Sequence, residues 1–334
     1  MKTQSPMPPL LPGPIGFLLI PQFAVLALAS AIEPLRIANR YLEVPYTWKL
    51  LSLDGQAVED DNGILIQPKG CIYDEAELGT LIICADIQPD AYYSAKLQKY
   101  LQQMNARGAS LGALDTGCFM LAQAGLLEHT TVTMHWEVLD AFQERFRTIA
   151  VRQTLFEVGA RRLTCAGGTA AIDMMLSAIA NDHGKDLAAR VAEHCLHDQM
   201  RPGDAVQRNT VMLKQSVQHP ALAQALQFLE KNPERVVTVP ELALQVGVSS
   251  RQLIRLFVQI VGEGPARYHR RLRLEHARSL LRNTSLPVTE VAVASGFESL
   301  AHFCRAYHQH FGQAPGADRR SAVQPRPLAR DKSH

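Results

Sequence analysis

A chain of 334 residues that is 47% hydrophobic and 20% charged is too long for one ordinary domain, too apolar for disorder and too mixed in charge for a low-complexity tail. Its six cysteines, at 71, 84, 118, 165, 195 and 304, show no CxxC spacing and are too sparse for a disulfide scaffold, which points to free thiols in a reducing cytoplasm. The net charge of +2 hides an asymmetry: residues 1–200 carry 15 basic and 22 acidic side chains, residues 201–334 carry 19 and 10, and the basic back half suits nucleic acid or an anionic surface.

Residues 1–13 read as a loose, proline-rich leader. The run FLLIPQFAVLALASAI at 17–32 mimics a signal peptide, with Lys2 ahead of it and Ala27-Leu28-Ala29 shaped like a cleavage site. Pro21-Gln22 splits it into pieces too short to span a bilayer, so it reads as a strand, a proline turn and a helix, with no membrane segment. Strands are predicted at 15–20, 47–53, 64–67, 80–84, 110–114, 132–134, 155–157 and 162–165, and helices at 23–39, 92–106, 118–124, 136–146, 169–181 and 185–196. Short, continuously apolar strands between helices predict a mainly parallel sheet covered on both faces, with ligands at the carboxyl ends of its strands. The polar stretch around Pro202-Gly203 reads as a linker over 198–216. Helical periodicity then runs to about residue 320, and 321–334 reads as a disordered tail.

The basic half contains an internal repeat. Val239, Leu242, Ala243 and Val246 lie on one helical face, and Gly247 stops the helix. Thr238 with Glu241, and Ser249 with Gln252, have capping-box spacing. The next helix buries Leu253, Phe257 and Ile260 and exposes Ser250, Arg251, Gln252 and Arg255. Forty-nine residues on, Val288, Val291, Ala292 and Ser295 repeat the face and Gly296 repeats the stop; Phe303, Tyr307 and Arg305 then match Leu253, Phe257 and Arg255. Each unit is helix, glycine turn, helix, the geometry that sets a second helix in a major groove. The helix between them, 265–281, carries Arg267, Arg270, Arg271, Arg273 and Arg278; a solvated face accounts for some of these, and Arg271 is also a candidate for an internal ion pair.

The segments LALQVGVSSRQLIRLF, GEGPARYHRRLRLEHARSLL and VTEVAVASGFESLAHFCRAYHQHFGQAPGADRR resemble the AraC/XylS-type DNA-binding domain over residues 219–320. The resemblance implies seven helices with two helix-turn-helix units entering successive major grooves of promoter DNA. Ser250, Arg251, Gln252 and Arg255 then face the first groove, and Ser299, Leu300, Ala301, His302 and Arg305 the second. The second face is poorer in hydrogen-bonding groups and leans on shape and phosphate contacts.

In the acidic half, LGALDTGCFMLAQAGLL at 111–127 is a strand, a sharp turn and a helix, followed by TVTMHWE at 131–137. In hydrolases such an elbow exposes a nucleophile, and His135 ends another predicted strand, so a Cys–His pair is one reading. Asp115 as a helix cap, His135 as a hydrogen-bonded core residue and Cys118 as a small core residue are equally consistent with the pattern. Gly167-Gly168 reads as the opening of the helix at Thr169.

With FLLIPQFAVLALASAIEPLRIAN, this half resembles the DJ-1/PfpI domain of the class I glutamine amidotransferase-like group over residues 14–197. The fold class expected is therefore a flavodoxin-like α/β domain followed by an all-α domain with two helix-turn-helix units, residues 217–320. Where enzymes of that group hold a cysteine at the elbow, this chain has Asp115, so no enzyme activity and no cofactor are expected. The fusion resembles bacterial regulators of arginine, carnitine and glycine betaine catabolism. It implies a cytoplasmic activator in which a small-molecule inducer (an amine, betaine or amino acid) binds near Glu33, Asp115, Thr116, His135 and Trp136, with RNA polymerase as partner and a homodimer as assembly. A regulator that retains cysteine hydrolase activity, and a thiol redox sensor, are the alternatives.

Overall fold

A computed structural model of the protein describes residues 9–207, 219–284 and 286–323. The chain divides into two compact units between Gln207 and Arg208.

The first unit is built on a seven-stranded sheet of order β10-β11-β7-β6-β1-β2-β5. Its strands are β1 (Ile15–Leu19), β2 (Trp48–Ser52), β5 (Gly70–Cys71), β6 (Thr80–Ala85), β7 (Ser110–Asp115), β10 (Phe156–Val158) and β11 (Arg162–Cys165). All pairings are parallel except β10 against β11. The central strands are buried on both faces, as their unbroken apolar sequences require. Alternate residues feed two cores: Ile15, Phe17, Leu19, Ile82 and Cys84 on one face, Leu18, Ile20, Leu81, Ile83 and Ala85 on the other. Helices α1 (Val25–Ala38), α5 (Ala170–His183) and α6 (Lys185–His194) cover the first face. Helices α2 (Ala95–Ala106), α3 (Cys118–Gln123) and α4 (Leu139–Arg145) cover the second. The chain winds outward in both directions from the β1–β6 pair, so the topological switch point lies beyond the carboxyl ends of these two strands.

Several sequence expectations shift. The strand predicted at 64–67 is β4 (Leu65–Ile66), paired antiparallel with β3 (Val58–Glu59) outside the main sheet. The strand predicted at 132–134 is β8 (Thr131–Val132), paired with β9 (Ala150–Val151). The leader is anchored at its end: Leu10 and Leu11 are buried, and their amides donate to Asp182 Oδ1 and Oδ2 at 2.8 and 3.2 Å. The expected linker also starts too early, because residues up to 207 pack onto the sheet unit. Arg201 binds Asp173, the Gly203 carbonyl accepts from the Leu155 amide, and Gln207 Nε2 donates to the Met134 and Thr154 carbonyls at 2.8 and 2.7 Å. Polar composition there supplies hydrogen bonds to a buried acid and to backbone carbonyls of the sheet unit, which a solvated linker would not need. The rest of the predicted linker, 208–216, and the tail from 324 lie outside the described residues.

The second unit has seven α-helices among the described residues: α7 (Pro220–Lys231), α8 (Val239–Gln245), α9 (Ser250–Leu256), α10 (Pro265–Asn283), α11 (Val288–Ala294), α12 (Leu300–Phe311) and α13 (Pro315–Val323). Leu222, Leu226, Leu242, Leu253, Phe257, Tyr268 and Leu272 form the core of its first half. In the second half Phe297, Phe303, Tyr307 and Phe311 stack in succession. No helix among the described residues is long and apolar enough to cross a membrane.

Candidate ligand site and nucleic-acid interface

β7 runs into α3 through Asp115, Thr116 and Gly117. Asp115 takes a left-handed backbone (φ +52°), a region that Asp tolerates better than most residues. Gly117 fits because the turn presses on β6: a Cβ there would stand 2.7 Å from the Ile83 carbonyl oxygen. Thr116 is buried, its amide bonded to the Ala85 carbonyl and its hydroxyl donating to the Asp86 carbonyl at 2.7 Å. The elbow therefore hangs on the end of β6, beside the switch point.

The Asp115 side chain is 5% exposed and lies flat against Gly167, which has φ +88°. A Cβ at Gly167 would fall 1.9 Å from Asp115 Oδ1. Gly167 thus makes room for a carboxylate, a role beyond opening α5. Asp115 Oδ2 is buried and has no hydrogen-bond partner. Burial, then the nearby charges of Asp86 and Asp61, push the Asp115 carboxyl far above the usual carboxylate range. Asp86, directly after β6, is raised to about 6 by burial and by Asp61 and Glu137. Asp61, after the β3 strand, is raised by partial burial and by Asp60.

Asp115 and Asp86 thus stand at the carboxyl ends of β7 and β6, and the exposed Asp61 of the β3–β4 hairpin adds its charge to theirs, each raising the pKa of Asp115. Asp86 and Asp61 are missing from the sequence-predicted set. Asp86 carries the same signal as Asp115, an acid that ends an apolar strand run. Among the described residues no His, Cys, Asp and Glu group is arranged to hold a metal ion.

The other predicted ligand residues are distributed differently. Glu33 sits on the outer side of α1, 48% exposed, with its carboxylate engaged by Arg36, whose hydrogen bond lowers its pKa. The charges that act on Asp115 come from the β3–β4 and β6 sides instead. His135 and Trp136 are half-buried, their rings 5.3 Å apart, on a segment tied to the elbow helix by the Cys118 thiol, which donates to the Thr133 carbonyl at 3.3 Å. Burial pushes the thiols of Cys84, Cys118 and Cys165 upward, away from the reactive thiolate.

In the second unit the capping box forms: the Thr238 hydroxyl accepts from the Glu241 amide and Glu241 Oε2 accepts from the Thr238 amide. Gly247 turns the chain at φ +72°, and Ser249 caps α9 by accepting from the Gln252 amide. Gly296 and Ser299 repeat both devices before α12. Leu253 and Phe303 anchor the two helices from below. Arg251, Gln252 and Arg255 on α9 are exposed and Ser250 is half-exposed; Ser299, Leu300, Ala301, His302 and Arg305 at α12 are exposed.

Four arginines of the basic helix α10 depart from a solvated face. Arg271 pairs with Glu263 and Glu275. Arg273 Nε donates to the Ser295 carbonyl at 2.8 Å, its Nη2 donates to the Gly296 carbonyl, and the guanidinium lies 4.2 Å over the Phe297 ring. It closes the second glycine turn from outside. Arg278 and Arg282 both bind the buried Asp318 of α13, as does the Tyr307 hydroxyl at 2.8 Å. These arginines are framework, a role that charge counting cannot separate from DNA contact.

A family model described as a helix-turn-helix domain matches residues 242–321. The chain is 40% identical over 303 residues to the HTH-type transcriptional regulator CdhR of Pseudomonas aeruginosa, a match covering 91% of this chain and 90% of that one. A solved structure of an AraC family transcriptional regulator from Pseudomonas putida superposes with a TM-score of 0.51 at 26% identity, over 54% of this chain and 98% of that chain. A ThiJ/PfpI family protein from Pseudomonas syringae gives 0.50 at 20% identity, over 63% and 88%.

Proposed function

Because the chain belongs to the AraC family of helix-turn-helix transcriptional regulators and carries a DJ-1/PfpI-like domain ahead of its DNA reader, we propose that it is an activator switched by a small cationic metabolite of the amine, betaine or amino-acid class. The observation that carries this reading is the buried, unpartnered Asp115 Oδ2 beside Asp86 and Asp61. Buried carboxyl groups such as Asp115 and Asp86 are held protonated by burial and by neighbouring charge, and a bound cation would favour their ionised form. Trp136, half-buried and next to the Glu137 whose charge acts on Asp86, is an aromatic candidate for a quaternary ammonium. Binding then alters how the basic unit engages promoter DNA and RNA polymerase in the cytoplasm, with a homodimer as the working assembly. The upward-shifted thiols weigh against the cysteine hydrolase and redox-sensor readings.

The test is a thermal-shift titration of the full chain with glycine betaine, carnitine and arginine. A ligand at about 100 times its Kd stabilises by about 2.7 kcal/mol. The pH dependence has a definite sign. A carboxyl raised to about 6 holds a proton in the fold that the unfolded chain has already released, so the unliganded unit loses stability as pH rises from about 4 past 6. Cation binding follows the opposite course, strengthening over the same interval as Asp86 ionises. Equal binding at pH 5 and pH 8, or no change on Asp86→Asn, would remove the carboxylate site.

For the reader, Arg251→Ala and Arg255→Ala each weaken specific DNA binding, by about 1–3 kcal/mol where the arginine meets a base edge. Unchanged binding isotherms for both variants would mean that α9 is not the first recognition helix.

A further inference from the structure

While Arg273, Arg278 and Arg282 of α10 turn to internal partners, a different stripe of the same helix faces outward. Arg267, Arg270, Arg271 and Leu274 follow Glu263 at helical spacing. With Ala306, Gln309 and His310 of α12 they border a cleft of about 440 Å³. Arg271 is engaged on both sides, by Glu263 at 3.1 Å and Glu275 at 2.8 Å. Arg267 is 85% exposed and reaches the shared Glu263 only at 3.6 Å. Arg270 is exposed and, among the described residues, pairs with no carboxylate. The mouth of the cleft thus keeps positive charge that its own acids do not neutralise.

The cleft is also continuous with the reading face of α12. His302, Arg305 and Gln309 stand at i, i+3 and i+7, on one stripe of that helix, and Gln309 lines the cleft. A helix lying in a major groove is bordered by phosphates of both strands, and its far end emerges over one of them. The geometry points to Arg267 and Arg270 as a clamp on the phosphodiester strand that flanks the groove read by α12. Such contacts set the register of the helix on the duplex and read no base. The inference rests on α12 as a DNA-reading helix.

The experiment uses the full chain and duplexes of about 30 base pairs with several unrelated sequences, titrated between about 50 and 300 mM KCl. The Arg267→Ala/Arg270→Ala double variant should lower the slope of log K against log salt by about one per lost phosphate contact, about two in all. The loss should be equal on every sequence, with unchanged melting temperature. Arg267→Lys/Arg270→Lys should retain most of the slope, because charge and not shape is at work. An unchanged slope overturns the clamp, and so does a loss confined to particular sequences. Intact DNA binding with lost activation in purified transcription would also overturn it, assigning the cleft to a protein partner. Arg305→Ala separates the two layers: if it weakens binding while the double variant does not, only the clamp fails; if neither does, the placement of α12 on DNA fails with it.

Discussion

Gly167→Ala should destabilise the first unit by about 2–5 kcal/mol, the sum of an alanine forced into left-handed backbone and a methyl driven into a packed carboxylate. At φ +88° any side chain is strained, and this one would stand 1.9 Å from Asp115 Oδ1. The two contributions separate in a double-mutant cycle. In an Asp115→Gly background the collision is gone, and Gly167→Ala should then cost only the backbone share, about 1–2 kcal/mol. Both tryptophans, Trp48 and Trp136, lie in the first unit, so denaturant melts followed by tryptophan fluorescence report on this unit alone. An identical cost in the two backgrounds would show that Asp115 does not occupy the space above Gly167.

The second large effect belongs to Asp318. Its buried carboxylate receives Arg278, Arg282 and the Tyr307 hydroxyl, joining α10, α12 and α13. Asp318→Asn should cost about 2–4 kcal/mol, below the full value for a broken buried pair because both arginines keep about a third of their side-chain surface in water. Tyr307→Phe removes one hydrogen bond and should cost about 1–1.5 kcal/mol. The melt of the second unit, followed by helical circular dichroism and DNA binding, should move while the tryptophan transition stays in place. Burial opposes ionisation of Asp318, but Arg282, Tyr307 and Arg278 more than offset it and hold the carboxyl below its ordinary value. Its contribution is therefore full above the usual carboxylate range and is lost as pH falls through the lowered value. The two units should respond differently to acid: the unliganded first unit gains stability near pH 5, whereas the second is unaffected there and loses stability only at lower pH. A shared response would contradict the assigned carboxyl environments.

Much of this architecture is written in local pattern. Apolar runs such as Thr80–Ala85 and Ser110–Asp115 announce parallel strands because both faces of each are buried. The Thr238–Glu241 box and the stops at Gly247 and Gly296 announce the helix-turn-helix units because caps depend on residues a few positions apart. What escapes local reading is pairing at long range. Gly167 matters through a residue 52 positions earlier, and Asp61 joins Asp86 and Asp115 only once the β3–β4 hairpin folds beside the sheet. Arg273 and Arg278 look like any solvated arginine until α11 and α13 come against them. Residues 201–207 look like a tether because their polarity serves acceptors far along the chain, Asp173, Met134 and Thr154.

The internal anchoring of Arg273, Arg278 and Arg282 bears on how such a reader diversifies. Side chains that brace α10 against α11 and α13 are distinct from those displayed on α9 and α12, so, on the proposed reading of those two helices, substitution at Gln252, Arg255, Ala301 or His302 should alter operator preference without loosening the scaffold. On that reading a few surface changes would retarget the protein, whereas a change at Asp318 leaves Arg278, Arg282 and Tyr307 without their common partner.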